Sequence, residues 1–156
     1  MEIRKGEKKD MAAVLELIKE LAVFEKEPDA VEINIADLER DGFGQTPLFW
    51  TFVAEVENTI VGIALYYYRF STWKGKTIHL EDLIVTENMR GKGIGEALYH
   101  RVMQQAQEDK VKRVEWAVLD WNTPAVEFYK KTGATVFDEW RVVQMNENQL
   151  LAYVCR

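Results

Sequence analysis

Three glycines within five positions mark the stretch NMRGKGIGEALYHR, residues 88–101, and Arg90 and Lys92 flank them. An amphipathic helical pattern starts directly after them. Free N–H groups and the positive dipole end at a helix start attract anions, and glycines let the backbone come close to a ligand. The spacing predicts a phosphate-binding loop. It fits neither G-x-x-x-x-G-K-[ST] nor the dinucleotide motif G-x-G-x-x-G, because Glu96 stands where the last glycine would be.

Two adjacent carboxylates, Glu81 and Asp82, lie in the strand-like segment HLEDLIV. Successive side chains of a strand point to opposite faces of the sheet. Both acids can therefore serve one pocket only if a β-bulge or a splay between strands re-aims one of them. The alternative is a solvated strand end, where acidic residues are common.

The elements that must position these residues alternate between helical and strand patterns. Helical spacing predicts four helices, over 8–24, 35–41, 93–109 and 123–132. Runs of β-branched and aromatic residues predict strands over 1–4, 49–57, 60–69, 76–86 and 111–119, and two short strands between 134 and 145. The phosphate loop then joins a strand to a helix, and Asn122 or Thr123 is the expected N-cap of the last helix.

Composition is that of one ordinary globular domain. The chain has 156 residues, 47% of them hydrophobic and 29% charged, which suffices for a single core. A net charge of -6 argues against a nucleic-acid partner, which requires a basic face. No apolar run is long enough to cross a membrane, and the single cysteine, Cys155, forms no internal disulfide, which favours the cytoplasm.

Other site chemistries are poorly supplied. His79 and His100 are the only histidines and neither has metal-ligand spacing, so no metal site is predicted. His79 is expected as a strand residue that could lie near the site. Ser71 is the only serine and lies outside any nucleophile elbow, which excludes a serine hydrolase. Of the five tryptophans, at least Trp50 is expected in the core.

The glycine loop resembles the acetyl-CoA pyrophosphate motif [QR]-x-x-G-x-[GA] of the GCN5-related N-acetyltransferases (GNAT), with Arg90, Gly93 and Gly95 in its three fixed places. LIKELAVFEKE, DGFGQTP, STWKGKTIHLEDLIV, AVLDWNTPAVEFYKKTGA and EW are similar to the diamine acetyltransferases, especially the branch that acetylates thialysine, and together cover nearly the whole chain. The resemblance implies an α+β fold, one GNAT-like domain over 1–156, in a homodimer. Its sheet is mixed and largely antiparallel, with about six or seven strands, flanked by helices and splayed at the acetyl-CoA site.

Acetyl transfer to an amine needs a base, because an amine with a pKa near 10.4 is neutral in only about one molecule in 2,500 at pH 7. The resemblance implies Glu81 as that base, acting through water, and Tyr129 as general acid near the CoA sulfur. Taken alone, a tyrosine beside Phe128 on a short helix is more often a core residue. The acetyl-CoA contacts that the resemblance implies are Leu83, Ile84, Val85, Arg90, Gly91, Lys92, Gly93, Ile94, Gly95, Glu96 and Asn122.

The implied contacts to the amine combine carboxylates with aromatic walls, which suit an elongated cation. They are Phe24, Glu25, Trp73, Asp82, Glu115, Trp116, Ala117, Glu139 and Trp140. In polyamine acetyltransferases the stretch before Trp73 resembles YDPW, whereas FSTW here puts Ser71 in the place of the acid. Thialysine or a short diamine is therefore the expected acceptor. A polyamine acetyltransferase and a non-catalytic acyl-CoA-binding module are the alternatives.

Overall fold

The computed structural model describes residues 1–155, which divide into two compact units. The N-terminal unit is Met1–Ala117, and the C-terminal unit runs from Val118 to the end of the described chain. The helices of the first unit are α1 (Met11–Phe24), α2 (Ile35–Phe43) and α3 (Ile94–Glu108). Its strands are β1 (Glu2–Lys5), β2 (Trp50–Val56), β3 (Thr59–Ser71), β4 (Gly75–Val85) and β5 (Val114–Glu115). The second unit holds α4 (Thr123–Lys131) and α5 (Glu147–Val154).

One sheet runs through the N-terminal unit in the order β1-β2-β3-β4-β5. Neighbouring strands from β1 to β4 are antiparallel, and β4 and β5 are parallel. Glu57 and Asn58 join β2 to β3 with φ values of 51° and 61°, the left-handed pair that a two-residue hairpin turn requires. The α+β class and the largely antiparallel sheet predicted from the sequence are confirmed.

The number of strands is a correction. Within residues 1–155 the sheet has five strands, whereas the sequence predicted about six or seven. The segment 134–145, predicted to hold two short strands, contains none, and the strand predicted over 111–119 is reduced to the two residues of β5. A strand exists only where it finds a ladder partner, and composition alone does not supply one.

The core is formed by the two faces of this sheet. Buried residues of α1 and α2, including Met11, Val14 and Leu38, pack with Val53 and Ile63 on one face. On the other face α3 lies so close to the sheet that a Cβ added at Gly62 would come within 3.1 Å of the Leu98 side chain. Helices therefore cover both faces of the central strands, as predicted.

Trp50 is a second correction. It was expected in the core, but the side chain is 38% exposed at the start of β2, where its ring meets that of Tyr68 edge-on with centroids 4.9 Å apart. An aromatic residue at a strand end can bury one side of its ring against a neighbour and leave the other in water.

The C-terminal unit contains one helix that the sequence predicted and one that it did not. α4 begins as expected at Asn122, whose side-chain Oδ1 accepts the N–H of Ala125 at 3.3 Å. α5 starts at a capping box in which Asn146 and Gln149 exchange side-chain hydrogen bonds with each other's backbone N–H. No helix of residues 1–155 is long and apolar enough to span a bilayer.

Candidate functional site

A β-bulge separates the two adjacent acids of β4. The ladder between β3 and β4 places Leu65 opposite Asp82 and Tyr66 opposite Leu80, so Glu81 is the extra residue of β4. A bulge breaks the strict alternation of side chains at that point. Two neighbouring carboxylates on one strand need such a bulge in order to serve one pocket. Glu81 is exposed, and Asp82 is partly buried.

The pKa of Asp82 is far above that of an ordinary carboxyl. Burial raises the pKa of Asp82 to about 7, and the nearby negative charges of Glu81 and Glu25 act in the same direction. Glu25 follows α1 directly, and burial raises its pKa as well. Asp82 thus lies within electrostatic reach of two further acids, and a group of acids of this kind creates a negative potential that favours a cationic ligand.

One hydrogen bond from the sheet holds the Glu81 carboxylate, and His79 lies beside it. The Tyr67 hydroxyl donates a hydrogen bond to Glu81 Oε2 at 2.8 Å, and His79 Nε2 lies 3.5 Å from the same oxygen. Burial, with the hydrogen bond to Glu81, raises the pKa of Tyr67 to about 12, so the phenol keeps its proton. The rings of Tyr67 and His79 lie side by side, with centroids 5.1 Å apart.

A layer of charged residues lies behind His79. Arg69 Nη1 is 3.1 Å from His79 Nδ1, and the same guanidinium forms an ion pair with Glu115. Arg113 Nε lies 2.8 Å from Glu115 Oε2. Two arginines thus compensate the charge of Glu115, which the sequence placed among the contacts to the amine.

Sequence reasoning missed Tyr67, Arg69 and Arg113. The alternation of side chains places residues 67 and 69 on one face of β3, and the register sets Tyr67 opposite His79. That register becomes visible only when the two strands are paired. A pattern search within either strand alone has no signal for it.

The sheet opens between β4 and β5. Their ladder consists of two pairs, Ile78 with Val114 and His79 with Glu115. Further along β4, Leu83–Val85 pair with Gly62–Ala64 of β3 on one side, and the ladder with β5 does not extend to them in the described chain. The predicted acetyl-CoA contacts Leu83, Ile84 and Val85 lie in this part of β4, and their role stays a prediction.

The glycine loop joins β4 to α3, as the sequence predicted. Gly91 and Gly93 have φ values of 73° and 77°, a left-handed conformation that favours glycine, and Gly93 is the N-cap of α3. A Cβ added at either position would meet no atom within 4 Å, so open space adjoins both. Ile94, Gly95 and Glu96 form the first turn of α3, where free N–H groups favour an anion.

Arg90 secures this loop from within the protein. Its Nε donates to the carbonyl oxygen of Val85 at 2.8 Å, and its Nη2 lies 3.4 Å from Glu20 Oε1. The same Glu20 oxygen accepts the N–H of Glu87 at 2.8 Å. The guanidinium also lies over the ring of Phe24, 5.3 Å from its centroid. Glu20 is a supporting residue that the sequence analysis missed, since an acid on an exposed helix face has no distinguishing pattern.

Aromatic residues predicted at the amine site occupy different environments. Trp73, at the tip of the β3–β4 hairpin, is 81% exposed. Ser71 Oγ accepts the N–H groups of Trp73 and Lys74, each at 3.2 Å, and so stabilises the hairpin turn. Trp116 packs edge-on against Tyr99 of α3, with centroids 5.6 Å apart, and the neighbouring Ala117 is exposed.

The remaining predicted site residues belong to the C-terminal unit. Tyr129 is buried in α4, and its carbonyl oxygen accepts a hydrogen bond from the Thr132 hydroxyl at 2.7 Å. Asn122 acts as an N-cap, and Glu139 and Trp140 are exposed in a segment without regular structure. Their roles at a site remain predictions. Across residues 1–155, no three His, Cys, Asp or Glu side chains form a group that could hold a metal ion.

Comparison with known proteins identifies the family. Thialysine N-epsilon-acetyltransferase of Bos taurus is 41% identical over 140 residues, which cover 85% of this chain and 82% of that protein. Spermidine/spermine N(1)-acetyltransferase-like protein 1 of Homo sapiens is 37% identical over 96% of this chain, which spans only 23% of that protein. The structure of an integron cassette protein from V. cholerae has the same fold, with a TM-score of 0.80, 24% identity, and coverage of 98% of this chain and 96% of that one. A model of the acetyltransferase (GNAT) family matches residues 11–134, and the chain therefore belongs to this family of enzymes, as its sequence motifs predicted.

Proposed function

We propose that this protein transfers the acetyl group of acetyl-CoA to a primary amine of a small cationic acceptor, thialysine or a short diamine. The observation that carries the proposal is the cluster of Glu25, Glu81 and Asp82, in which burial raises the pKa of Asp82 to about 7. A carboxyl with that pKa ionises readily when an ammonium group binds beside it. The similarity to a thialysine acetyltransferase over most of both chains supports the same acceptor class.

The donor side of the reaction uses the glycine loop and the open edge of β4. Backbone N–H groups at the start of α3, together with residues 90–96, bind the pyrophosphate of acetyl-CoA. The backbone of Leu83–Val85, which lies beyond the two-pair ladder with β5, pairs with the amides of the pantetheine arm, and Asn122 adds a side-chain contact. These assignments follow the motif matches and are supported by the left-handed Gly91 and Gly93 and by the space beside them.

The acceptor reacts by direct attack in a complex of both substrates. Glu81 takes one proton from the ammonium group through water, and the neutral nitrogen then attacks the thioester carbonyl carbon. The carbon–sulfur bond breaks, the CoA thiolate departs with the electron pair, and the nitrogen releases its second proton to water to give the neutral amide. Tyr129 hydrogen-bonds to the departing sulfur. Asp82, Glu25 and Glu139, with the aromatic Phe24, Trp73 and Trp140, hold the cationic acceptor.

Tyr129→Phe tests the role of the phenol. A thiol with a pKa near 8.5 is a stronger acid than a phenol near 10, so complete proton donation to the thiolate is uphill by about 2 kcal/mol. A hydrogen bond therefore suffices, and the variant should lose about 100-fold in kcat, the low end of the range for general acid–base groups. Single-turnover rates measure this where chemistry limits. An unchanged rate removes Tyr129 from the mechanism.

The acceptor is tested by steady-state kinetics on thialysine, lysine, a short diamine and spermidine. We expect kcat/KM to be highest for thialysine or the short diamine, because Ser71 supplies no charge for the distal ammonium of spermidine. A kcat/KM for spermidine at least tenfold above that for the other amines would favour the polyamine alternative. The similarity to the spermidine/spermine acetyltransferase-like protein supports that alternative. Binding of acetyl-CoA with no CoA release on any amine would favour the non-catalytic module.

Two variants of Ser71 isolate the charge at that position. Asparagine and aspartate can both accept the N–H groups of Trp73 and Lys74 that Ser71 Oγ now accepts, so both preserve the hairpin turn. Only Ser71→Asp adds a negative charge. We expect Ser71→Asp to raise the ratio of kcat/KM for spermidine over thialysine, and Ser71→Asn to leave that ratio unchanged.

We propose further that the protein is a cytoplasmic homodimer with neither a nucleic-acid nor a membrane partner. The acidic net charge of -6 supports the absence of a nucleic-acid partner. The single, exposed Cys155 supports a reducing compartment. Exposed apolar side chains of the C-terminal unit, such as Val142 and Leu151, support association with a second copy.

A further inference from the structure

We infer that Arg69 fixes the tautomer of His79 so that the imidazole carries its proton on Nε2, the nitrogen next to Glu81, which makes Arg69 and His79 positioning residues for the acidic site. The catalytic meaning of this arrangement rests on the proposed acetyl transfer. The tautomer itself follows from the geometry of residues in the sheet and can be tested without turnover.

The first step is the contact between Arg69 and His79. A guanidinium carries five N–H donors and no acceptor, and it stays protonated in proteins. Because Arg69 Nη1 lies 3.1 Å from His79 Nδ1, the ring nitrogen must be the acceptor in this hydrogen bond. A neutral imidazole that accepts at Nδ1 carries its proton on Nε2.

The second step is the direction of that proton. His79 Nε2 lies 3.5 Å from Glu81 Oε2, the same oxygen that accepts the Tyr67 hydroxyl at 2.8 Å. The Tyr67 hydroxyl therefore hydrogen-bonds to one oxygen of Glu81, and His79 Nε2–H lies near the same oxygen at a longer distance. These contacts involve Oε2 and not Oε1, which suits a carboxylate that must accept a proton through water.

Burial, more than the surrounding charges, keeps the ring neutral. Burial lowers the pKa of His79, and the positive charge of Arg69 acts in the same direction, while Glu81 and Glu115 oppose both. Tyr67 faces the ring from β3 as an uncharged donor, and Asp82 follows Glu81 on β4. Arg69 is in turn held by its ion pair with Glu115.

Imidazole NMR tests the tautomer directly. The chain has only two histidines, so long-range ¹H–¹⁵N spectra of the full protein are assigned with a single His100→Gln variant. We expect His79 to be neutral at pH 7 with its proton on Nε2. In Arg69→Met we expect a mixture of tautomers and a higher pKa of His79. An Nδ1–H tautomer in the natural protein, or an Arg69→Met spectrum identical to it, overturns the inference.

Arg113→Met is the matched control. Arg113 and Arg69 both pair with Glu115, so removing either one removes a positive charge beside Glu115. The inference depends on the contact between Arg69 and His79 Nδ1. Arg113→Met should leave the tautomer unchanged. If it alters the spectrum as much as Arg69→Met does, the effect is one of general charge and the inference is wrong.

Kinetics then separate positioning from packing. In His79→Gln the amide N–H replaces the Nε2–H donor, whereas His79→Phe keeps a ring beside Tyr67 and removes the donor. We expect His79→Gln to stay within about threefold of the natural kcat and His79→Phe to lose about tenfold, with the KM for acetyl-CoA unchanged in both. Equal losses in the two variants overturn the positioning role. If no amine is acetylated even by the natural protein, the proposed function fails, and the NMR result still decides the tautomer.

Discussion

Asp82 couples the acidic site to the stability of the protein. Its carboxyl has an ordinary pKa of 3.8 in the unfolded chain, and burial raises that pKa to about 7 in the folded protein. Between these values the folded state holds a proton that the unfolded state has released. The contribution of Asp82 to the free energy of unfolding therefore decreases as the pH rises from about 4 to about 7, and it is constant above that range.

Asp82→Asn should remove this loss. We expect the variant to be more stable than the natural protein at pH 8, by on the order of 2 kcal/mol, and nearly equal to it at pH 4. Calorimetric unfolding at both pH values measures the difference. The same variant should bind the cationic acceptor more weakly, because a carboxylate facing it has been lost.

Asp109→Asn is the control of opposite sign. A hydrogen bond from the Tyr68 hydroxyl lowers the pKa of Asp109, so its contribution is present above the unfolded pKa and is lost as the pH falls through the folded one. Asp109→Asn should destabilise the protein at pH 8.

If Asp82→Asn changes stability equally at pH 4 and pH 8, burial of its charge is not the cause.

Sequence reasoning found Glu81 and Asp82 but could not find the geometry that relates them. A bulge depends on how two strands pair, and HLEDLIV carries no information about β3. The same holds for Ser71. The comparison of FSTW with YDPW showed only that Ser71 lacks the negative charge of an aspartate, whereas the structure shows that its hydroxyl stabilises the hairpin turn. The partners of His79 were likewise invisible along the chain, since Arg69 and Glu115 belong to two other strands.

At the scale of elements, the loop between β4 and α3 combines an internal clamp with an open backbone. Arg90 and Glu20 fix the loop to Val85 and to Glu87, so that the N–H groups at the start of α3 are preorganised. Gly93 completes the arrangement with φ 77° beside open space. A ligand that enters this space meets a backbone that does not have to rearrange.

Gly93→Ala should separate backbone strain from ligand contact when it is compared with Gly75→Ala. Both glycines have φ 77° and open space where a Cβ would be, but Gly75 lies at the start of β4, outside the loop. We expect each variant to lose about 1 kcal/mol of stability. Only Gly93→Ala should weaken acetyl-CoA binding, by about tenfold or more in titration calorimetry. Equal affinities in the two variants would place the pyrophosphate elsewhere.

Helices were predicted from the sequence more accurately than strands. α1, α3 and α4 lie within the predicted ranges because the 3.6-residue period and the N-caps are local signals. β5 and the segment 134–145 were overestimated, since valines and aromatic residues indicate a strand only where a partner strand is present. α5 was missed although Asn146 and Gln149 form a capping box at its start.

At the scale of the whole molecule, the C-terminal unit leaves many apolar side chains in water. They include Val142, Val143, Leu150, Leu151 and Val154. Several exposed apolar side chains in one unit are typical of a region that binds another protein surface. The family resemblance implies a homodimer. We therefore propose that a second copy of the chain covers these side chains.

Val143→Asp should therefore dissociate the proposed dimer. Val143 is 92% exposed in the single chain, and a charge at an apolar interface is strongly unfavourable. Light scattering after size exclusion should give a dimer for the natural protein and a monomer for the variant. Val23→Asp is the control, because Val23 is also exposed, at 61%, but lies on α1. A monomeric natural protein, or dissociation by both variants, contradicts the proposal.

The order of strands in the sheet also bears on how the chain folds during synthesis. Two residues connect β2 to β3 and three connect β3 to β4, whereas residues 6–49 separate β1 from β2 and residues 86–113 separate β4 from β5. Closing a loop costs about 0.6 kcal/mol more for each doubling of its length, so the three central strands should associate first. By the time residue 85 has left the ribosome, every antiparallel strand has been made. The parallel edge is added only after α3 has been synthesised, so β5 is the last strand that a growing chain adds to the described sheet.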